Sequence, residues 1–402
     1  MEGAFEGIRV VELAQWVFVP VAGALLADWG ADVIHIEPTE GDPYRGLATQ
    51  GIGSEKGGVN LSLALANRGK RSIALDVRSE QGVNVLHRLL ETADVFLTNM
   101  RPGALTRLGL DPETVCERYP KLIYGRGTGY GPKGPDVNQA GYDSTAFWAR
   151  GGLAHMLTPA ERDYPITQRG AMGDRNGALA LAFGVSAAIN KRSRTGVGSV
   201  VDVSLLATAM WTLSSDLLAA LGGDEPVAAN GRGPDFNPLV GTYRTSDDRH
   251  IQLVFLQADR YWPGFCQLIG REDLIDDARF AEMKVRRENG AACVAELDRE
   301  FAKHTLAEWK NMLSQLDAPW AVVQSVKELI DDPQVQANGY VGEVELEGGV
   351  SYRLPAVPVL FDGEPPVLRR APEHGEDTEA ILLEAGYGWD DIVNFKDAGV
   401  VP

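Results

Sequence analysis

The sequence predicts an α/β protein with a large doubly wound, Rossmann-like domain and a smaller α+β domain. Two observations carry this prediction. Between residues 1 and 200, short β-branched runs alternate with helical patterns, and this alternation implies a parallel sheet covered by helices. The chain also has 402 residues, more than a single hydrophobic core normally supports.

The elements of the large domain follow one another closely. Strands are predicted in GIRVVELA, ADVIHIEP, RSIALDV, DVFLTNM and KLIYGRG, and helices in VAGALLADWG and EQGVNVLHRLLETA. A helix over residues 177–190 comes next. It is followed by a turn, a short strand and one long helix in RTGVGSVVDVSLLATAMWTLSSDLLAAL.

A stretch rich in Gly, Pro and Asn, LGGDEPVAANGRGPDFNPLVG, marks a domain boundary near residue 225. Beyond it, YRTSDDRHIQLVFL predicts a hairpin and residues 277–304 and 306–316 predict amphipathic helices. Strand character returns in VGEVELEGGVSYRLPAVPVLF, with EGG as its turn, and TEAILLEAG predicts a closing helix. We therefore expect a large α/β domain over 1–225, a small α+β domain over 226–325, and a segment over 326–402 that returns to the large domain.

Composition and charge exclude several classes of function. A net charge of −18 repels nucleic acid and anionic lipid, so an anionic ligand needs local basic residues. The three cysteines show no CxxC spacing, and the six histidines show no pairing typical of a metal site, so we expect no metal. The acidic N-terminus and the absence of a long uncharged run favour a cytoplasmic protein without a membrane partner.

Two glycine-rich or basic motifs have plain alternative explanations. GRGTGYG, residues 125–131, follows a predicted strand, but its glycines do not have the GxGxxG spacing of a dinucleotide site. Arg78, Asn99 and Arg101 follow predicted strands, where ligands bind in open α/β sheets, yet cations at such ends are often only solvated. No phosphate-binding loop, HExxH or GxSxG motif occurs.

Asp174 lies beside Gly173 where the apolar helical stretch MGDRNGALALAFGVSAAI begins. Asp is a preferred N-cap, so one interpretation is a structural cap. A helix N-terminus would also keep the carboxylate ionised, with a pKa at or below its ordinary value, and such a carboxylate can act as a nucleophile. Gly173 and Gly177 would let a substrate group approach closely. Composition and spacing leave both interpretations open.

The order of the segments resembles the class III CoA-transferases, the family of formyl-CoA transferase and carnitine CoA-transferase, which also contains the α-methylacyl-CoA racemases. The resemblance covers nearly the whole chain, from GIRVVELA and LLADWGADVIHIEP through KRSIALD, DVFLTNMRPGALTRLGL, LIYGRGTGYGPKGP, AGYDSTAFWARGGL, GDRNGALAL and RTGVGSVVDVSLL to DPQVQANGY and EHGEDTEAIL. It implies CoA transfer from an acyl-CoA to a carboxylic acid, a large domain that binds coenzyme A, and an interlocked homodimer.

The resemblance also implies roles for individual residues. Asp174 becomes the nucleophile, forming an acyl-aspartyl anhydride and then an aspartyl-CoA thioester, with Tyr142 and Asp143 as an active-site pair. The positions that match CoA contacts in the family are Leu75, Arg78, Asn99, Met100 and Arg107. Lys70 and Arg71 lie in a matching basic turn without an assigned contact.

Departures from the family pattern bear on the substrate. Val17 replaces the glutamine of formyl-CoA transferases, so Trp16, Val17 and Phe18 suggest a larger or more apolar acyl group, unless they only pack. Tyr142 stands where the racemases have an acid/base histidine, and its high pKa suits proton exchange poorly. Pro38 replaces a phosphate-contacting arginine of some members. Transfer is thus expected over racemisation, and a non-catalytic acyl-CoA-binding protein is the other alternative.

Overall fold

The computed structural model describes residues 3–46, 55–224, 236–346 and 349–402. Most of the predicted Gly, Pro and Asn-rich connection lies outside the described residues, and so does the predicted domain boundary near residue 225. Two residues of the predicted EGG turn also lie outside them. The chain divides into two compact units. The first comprises Met1–Thr158, Arg162–Pro226 and Pro333–Pro402, and the second comprises Pro159–Glu161 and Val227–Asp332.

The strands and helices are as follows. The strands are β1 Arg9–Leu13, β2 Asp32–Glu37, β3 Glu55–Lys56, β4 Val59–Asn60, β5 Arg71–Ala74, β6 Val95–Thr98, β7 Ile123–Thr128, β8 Ser199–Ser204, β9 Val240–Arg244, β10 His250–Val254, β11 Trp320–Val322, β12 Val341–Glu345 and β13 Ser351–Pro355. The helices are α1 Phe18–Asp28, α2 Leu61–Asn67, α3 Glu80–Leu90, α4 Pro102–Arg107, α5 Pro112–Arg118, α6 Leu153–Met156, α7 Met172–Thr195, α8 Leu205–Thr212, α9 Ser214–Gly222, α10 Ala258–Leu268, α11 Met283–Glu288, α12 Gly290–Phe301, α13 Leu306–Leu313, α14 Val326–Asp331, α15 Pro333–Ala337, α16 Thr378–Glu384 and α17 Trp389–Asp397. A π-helical segment spans Asp143–Ala149.

The first unit is built on a six-stranded parallel sheet with the order β5-β2-β1-β6-β7-β8. This is the doubly wound order, in which the chain direction across the sheet reverses between β1 and β6. The predicted fold class, α/β with a large parallel sheet, is confirmed. Val10 faces one apolar core with α1 and α7, and Val11 faces another with α3 and α16, because successive strand residues point to opposite faces.

Two predicted helices have different bounds in the structure. The helix expected over 177–190 runs from Met172 to Thr195. The single long helix expected after β8 is two helices, α8 and α9, which meet at Leu213 and are bent by 75°. Over the parts of the chain that the structure describes, no single helix is long and apolar enough to cross a membrane, although this bent pair passes that test jointly.

The second unit contains the antiparallel sheet β11-β10-β9. The expected hairpin is present as β9 and β10, and α12 and α13 lie within the stretches expected to be amphipathic helices. The apolar faces of α12 and α13, with Phe301 and Trp309, form one core with Tyr243 of β9 and Trp262 of α10. The rings of Phe301 and Trp309 are stacked, with centroids 4.1 Å apart. This unit therefore has a hydrophobic core of its own.

Candidate active site

A cavity of about 1000 Å³ lies at the carboxyl ends of the parallel strands. The segments that follow β1, β2, β5, β6 and β7 line it, which is where doubly wound folds bind ligands. The predicted site residues that line it are Trp16, Val17, Phe18, Leu75, Arg78, Asn99, Met100, Arg107, Tyr142 and Asp174. The fold thus brings together residues that are up to 158 positions apart in the chain (16 to 174).

Asp174 is the third residue of α7 rather than its N-cap. The N-cap is Ala171, a non-glycine residue with a φ of +57° and no capping side chain. The backbone N–H of Gly173 donates instead to the carboxylate of Asp143, at 3.1 and 3.2 Å. The cap interpretation of Asp174 was therefore wrong, since Asp143 satisfies this first-turn donor from a distant segment.

The pKa of Asp174 is raised to about 7, mainly by burial and secondarily by the negative charge of Asp143, with Arg175 opposing. The expectation of a pKa at or below the ordinary value was wrong for this reason. Among the described residues, none donates a hydrogen bond to the Asp174 carboxylate. Its negative charge is therefore weakly compensated, which makes it more basic than an ordinary carboxylate.

Asp143 contacts the first turn of α7, next to Asp174, without lining the cavity itself. It begins the π-helical segment, is buried, and does not line the cavity. Its Oδ1 accepts hydrogen bonds from Gln168 Nε2 at 2.8 Å and from the Gly173 N–H. Burial raises its pKa, and these hydrogen bonds lower it.

Three aromatic rings form a cluster, of which Trp16 and Tyr142 line the cavity and Tyr44 packs beside Trp16. The ring of Trp16 is edge-on to that of Tyr142, with centroids 6.0 Å apart and planes at 86°. The centroid of the Trp16 ring is also 6.2 Å from that of the Tyr44 ring. Burial raises the pKa of the Tyr44 hydroxyl, and the negative charge of Asp174 raises it further. Tyr142 is 59% exposed, so Trp16 and Tyr142 offer an aromatic surface in the cavity that Asp174 also lines.

Val17 and Phe18 contribute to packing as well as to the cavity wall. Both are less than 10% exposed and belong to the core between the sheet and α7. A Cβ on Gly177 would lie 2.6 Å from the Phe18 ring, and one on Gly173 would lie 2.2 Å from Phe147. These glycines therefore admit neighbouring side chains, rather than a substrate group as expected from the sequence.

The first two glycines of GRGTGYG, Gly125 and Gly127, also admit neighbouring side chains. A Cβ on Gly125 would lie 2.6 Å from Leu97, and one on Gly127 would lie 2.5 Å from Val19. Close packing of side chains from β6 and α1 on β7 thus accounts for these two glycines.

Comparison with known proteins identifies the family. The model of CoA-transferase family III matches residues 5–378. The chain belongs to this family. It is 34% identical to an (R)-2-hydroxy-4-methylpentanoate CoA-transferase of Clostridioides difficile, over 98% of this chain and 99% of that protein. It is 36% identical to a cinnamoyl-CoA:phenyllactate CoA-transferase of Clostridium sporogenes, over 95% and 93% respectively.

A solved structure gives the same answer. A CaiB/BaiF family protein from Brucella suis superimposes with a TM-score of 0.81 at 29% identity, covering 96% of this chain and all of that one. The predicted resemblance to the class III CoA-transferases is therefore confirmed, and the chain is an enzyme of that class. Its CoA-transferase relatives act on CoA thioesters and carboxylic acids.

The arginines that line the cavity differ in how free they are. Arg78 is exposed and its Nε donates to Asp76 at 2.7 Å. Arg101 and Arg107 also line the cavity and form no ion pair with any described residue. The last two therefore keep their charge available at the rim.

Lys70 and Arg71 do not reach the cavity. The Nζ of Lys70 is buried against Glu12 Oε1 at 2.7 Å, and desolvation by burial lowers its pKa, although the charge of Glu12 opposes this. Arg71 begins β5 and pairs with Asp32 and Glu384 at the amino-terminal edge of the sheet. Both residues thus serve the fold.

Three residues of the site carried no sequence signal that we used. Asp42 follows β2, Tyr44 lies in the 3₁₀ helix Pro43–Gly46 that comes next, and Gln168 lies outside any helix or strand. Only their contacts with Trp16 and Asp143 reveal them.

Within the described ranges, no group of three or more His, Cys, Asp or Glu residues is arranged to hold a metal ion.

Proposed function

We propose that this CoA-transferase moves CoA from an acyl-CoA to a carboxylic acid with Asp174 as nucleophile. The Asp174 carboxylate attacks the thioester carbonyl carbon, the C–S bond breaks, and an acyl-aspartyl anhydride and CoA thiolate result. The thiolate then attacks the aspartyl carbonyl of the anhydride. This releases the donor acid as its carboxylate and leaves an aspartyl-CoA thioester.

The second half of the cycle returns the enzyme to its starting state. The carboxylate of the acceptor acid attacks the aspartyl thioester, which forms a new anhydride and expels CoA thiolate. The thiolate attacks the acceptor's carbonyl carbon in that anhydride. The products are the new acyl-CoA and the free Asp174 carboxylate, so the cycle balances without a further reactant.

The observation that carries this proposal is the state of Asp174 compared with the other acids of the cavity. Asp76 is paired with Arg78, and Glu40 accepts a hydrogen bond from Thr39 at 3.0 Å. Asp174 has no such partner among the described residues, and its raised pKa favours nucleophilicity once the proton has left. It is therefore the cavity carboxylate best suited to attack.

CoA would lie along the cavity with its phosphates toward α4. Arg101 and Arg107 supply positive charge at the rim, against an overall charge of −18. Leu75 and Met100 supply apolar surface on the way to Asp174. Pro38 also lines the cavity and offers no charge, so the arginines of α4 and its N-cap would carry the phosphate contacts.

The acyl group is proposed to be branched or aromatic. The rings of Trp16 and Tyr142 line the same cavity as Asp174, and the ring of Tyr44 packs beside that of Trp16. Relatives are named for 2-hydroxy-4-methylpentanoate and for cinnamoyl-CoA and phenyllactate. Donor and acceptor of this kind would gain contact area on those rings, which a formyl or acetyl group could not.

A homodimer is proposed as the working assembly, in line with the family resemblance. Large apolar side chains are exposed on the helices near the site, including Phe183 at 76%, Trp211 at 82% and Leu221 at 76%. Exposed patches of this kind mark protein interfaces. Light scattering in solution would give a mass twice that of the chain, and a monomeric mass would contradict it.

Racemisation is the second candidate. A carboxyl with a pKa near neutrality suits acid/base work at the carbon α to a thioester, and Asp174 has such a pKa. A racemase would exchange α-deuterium of a single acyl-CoA with solvent, without any acceptor acid. Transfer requires both substrates.

The deciding experiment traps the covalent intermediates. The protein is incubated with cinnamoyl-CoA, with and without (R)-2-hydroxy-4-methylpentanoate, then treated with hydroxylamine or borohydride and mapped by mass spectrometry. Modification is expected at Asp174, and Asp174→Ala should abolish both label and turnover. Asp163→Asn, at an exposed position, is the matched control that keeps both. A label elsewhere, or turnover without Asp174, would disprove the mechanism.

A further inference from the structure

One peptide group in the wall of the cavity that Asp174 lines is fixed by hydrogen bonds at both its carbonyl oxygen and its N–H. This is the peptide that joins Gln15 to Trp16, just after β1. Its carbonyl oxygen accepts a hydrogen bond from Asn99 Nδ2 at 2.7 Å, and its N–H donates to Asp42 Oδ2 at 3.1 Å. Asn99 follows β6 and Asp42 follows β2, the two strands that flank β1. Both neighbours of the central strand thus fix a single peptide plane.

The conformation that follows is strained. Trp16 has a φ of +69°, a left-handed value that a bulky residue rarely adopts. Such conformations persist only where surrounding contacts impose them, and they concentrate at functional sites. The Gln15 N–H also donates to Asn99 Oδ1 at 3.1 Å, so the approach to Trp16 is held by a two-point contact. Relaxation of the backbone would swing the indole away from Tyr142.

The contacts behind Asp42 are themselves fixed. Asp42 is 2% exposed, its Oδ1 accepts from the Tyr44 N–H at 2.8 Å, and its own N–H donates to Glu37 Oε2 at 3.1 Å. Glu37 in turn forms a two-point ion pair with Arg45, at 2.6 and 2.7 Å. Asp42 therefore accepts hydrogen bonds from the backbones of both Trp16 and Tyr44, which carry two of the three clustered rings.

We propose that Asp42 and Asn99 are positioning residues that set acyl selectivity by holding the Trp16 indole edge-on to Tyr142, so that the site prefers aromatic or branched acyl groups to short ones. Asn99 then acts on the substrate through Trp16, rather than as a direct contact of CoA. The inference rests on the proposed function for the identity of the substrate. What it adds is that Asp42 and Asn99 determine the position of the Trp16 ring through their hydrogen bonds to the Gln15–Trp16 peptide.

The test uses two isosteric substitutions. Asp42→Asn puts an amide nitrogen or a neutral oxygen where a carboxylate accepts the Trp16 N–H, and Asn99→Asp removes the donor to the Gln15 carbonyl. The ratio of kcat/KM for cinnamoyl-CoA over acetyl-CoA, with (R)-2-hydroxy-4-methylpentanoate as acceptor, should fall about tenfold in Asp42→Asn, which loses a charge-assisted hydrogen bond, and about fivefold in Asn99→Asp, which loses a neutral one. Thermal unfolding checks that each variant is folded.

The decisive control repeats Asp42→Asn in a Trp16→Gly background. Glycine adopts a positive φ without strain and carries no ring, so Asp42 no longer has an indole to orient, although its hydrogen bond from the Tyr44 N–H remains. Trp16→Gly alone should lower the ratio at least as much, and adding Asp42→Asn should change it by less than about twofold. An unchanged ratio in Asp42→Asn, or additive losses in the double variant, would overturn the inference.

A binding measurement separates this inference from the proposed function. Dissociation constants for cinnamoyl-CoA and acetyl-CoA are measured in Asp174→Ala, with and without Asp42→Asn, so that no transfer is needed. Loss of selectivity upon Asp42→Asn supports the inference even if transfer fails. Free CoA should bind equally well to both proteins, and weaker binding of CoA itself would show a general structural defect and contradict the positioning role.

Discussion

Replacing Asp174 by Asn should stabilise the protein, and increasingly so as the pH rises. The folded pKa of this carboxyl, about 7, lies above its unfolded value of 3.8. The folded state therefore holds the proton more tightly, and stability is lost progressively as the pH rises from about 4 to about 7. Above pH 7 the whole cost of burying the charge is present. The amide introduced by Asp174→Asn is uncharged at every pH and avoids that cost.

The size of the effect follows from the difference between the two pKa values. A difference of about 3 corresponds to about 4 kcal/mol in the free energy of unfolding. Because the side chain is partly exposed at the cavity, water screens the charge and we expect about half, or about 2 kcal/mol at pH 8. At pH 5 less than about 1 kcal/mol of this should remain.

The assay is thermal and urea unfolding of wild type and Asp174→Asn at pH 5, 6, 7 and 8. The advantage of the variant should grow across this series and reach about 3 °C in Tm at pH 8. Asp163→Asn, on the surface, should show no such trend. An advantage of Asp174→Asn that stays flat or shrinks between pH 5 and pH 8 would refute the assignment of a buried, poorly compensated charge to Asp174.

Three further predictions concern the surroundings of the nucleophile. Asp143→Asn removes the negative charge that helps raise the nucleophile's pKa, so the rise of kcat/KM with pH should move down by roughly one pH unit, and an unmoved profile would count against that coupling. Arg101→Ala and Arg107→Ala should each raise KM for the acyl-CoA about tenfold with kcat nearly unchanged, and the loss should shrink at high salt because phosphate contacts are screened. Gly177→Ala, whose Cβ would lie 2.6 Å from the Phe18 ring, should lower the free energy of unfolding by about 1–3 kcal/mol. Gly222→Ala is the control and should not destabilise, because no atom lies within 4 Å of its Cβ. Equal stabilities of the two variants in urea titrations would contradict this prediction.

Much of the site could be predicted because its residues occupy strand ends. Arg78, Asn99 and Arg101 follow runs that are recognisably strands, and the carboxyl ends of parallel strands meet at one edge. The β-branched alternation that predicts those strands is a local property of the chain. The resemblance to class III CoA-transferases supplied Asp174 and Tyr142, which have no such local signal.

Other properties depend on contacts between distant segments. The pKa of Asp174 was expected to be low because a helix N-terminus stabilises an anion, but burial and the charge of Asp143, 31 positions earlier (174 minus 143), outweigh that effect. The break between α8 and α9 likewise has no glycine or proline at Leu213 to announce it. The extended chain contains none of these juxtapositions.

The sequence by itself determined the alternation of strands and helices, the parallel sheet and the edge at which a ligand could bind, since these follow from side-chain periodicity and the geometry of the backbone. Only the tertiary structure decided that Asp143 caps α7, that Asp174 is left basic, and that Asp42 and Asn99 hold Trp16 in a left-handed conformation. Capping, charge burial and strain all depend on contacts between groups that are distant in the chain, and folding alone brings those groups within reach of each other.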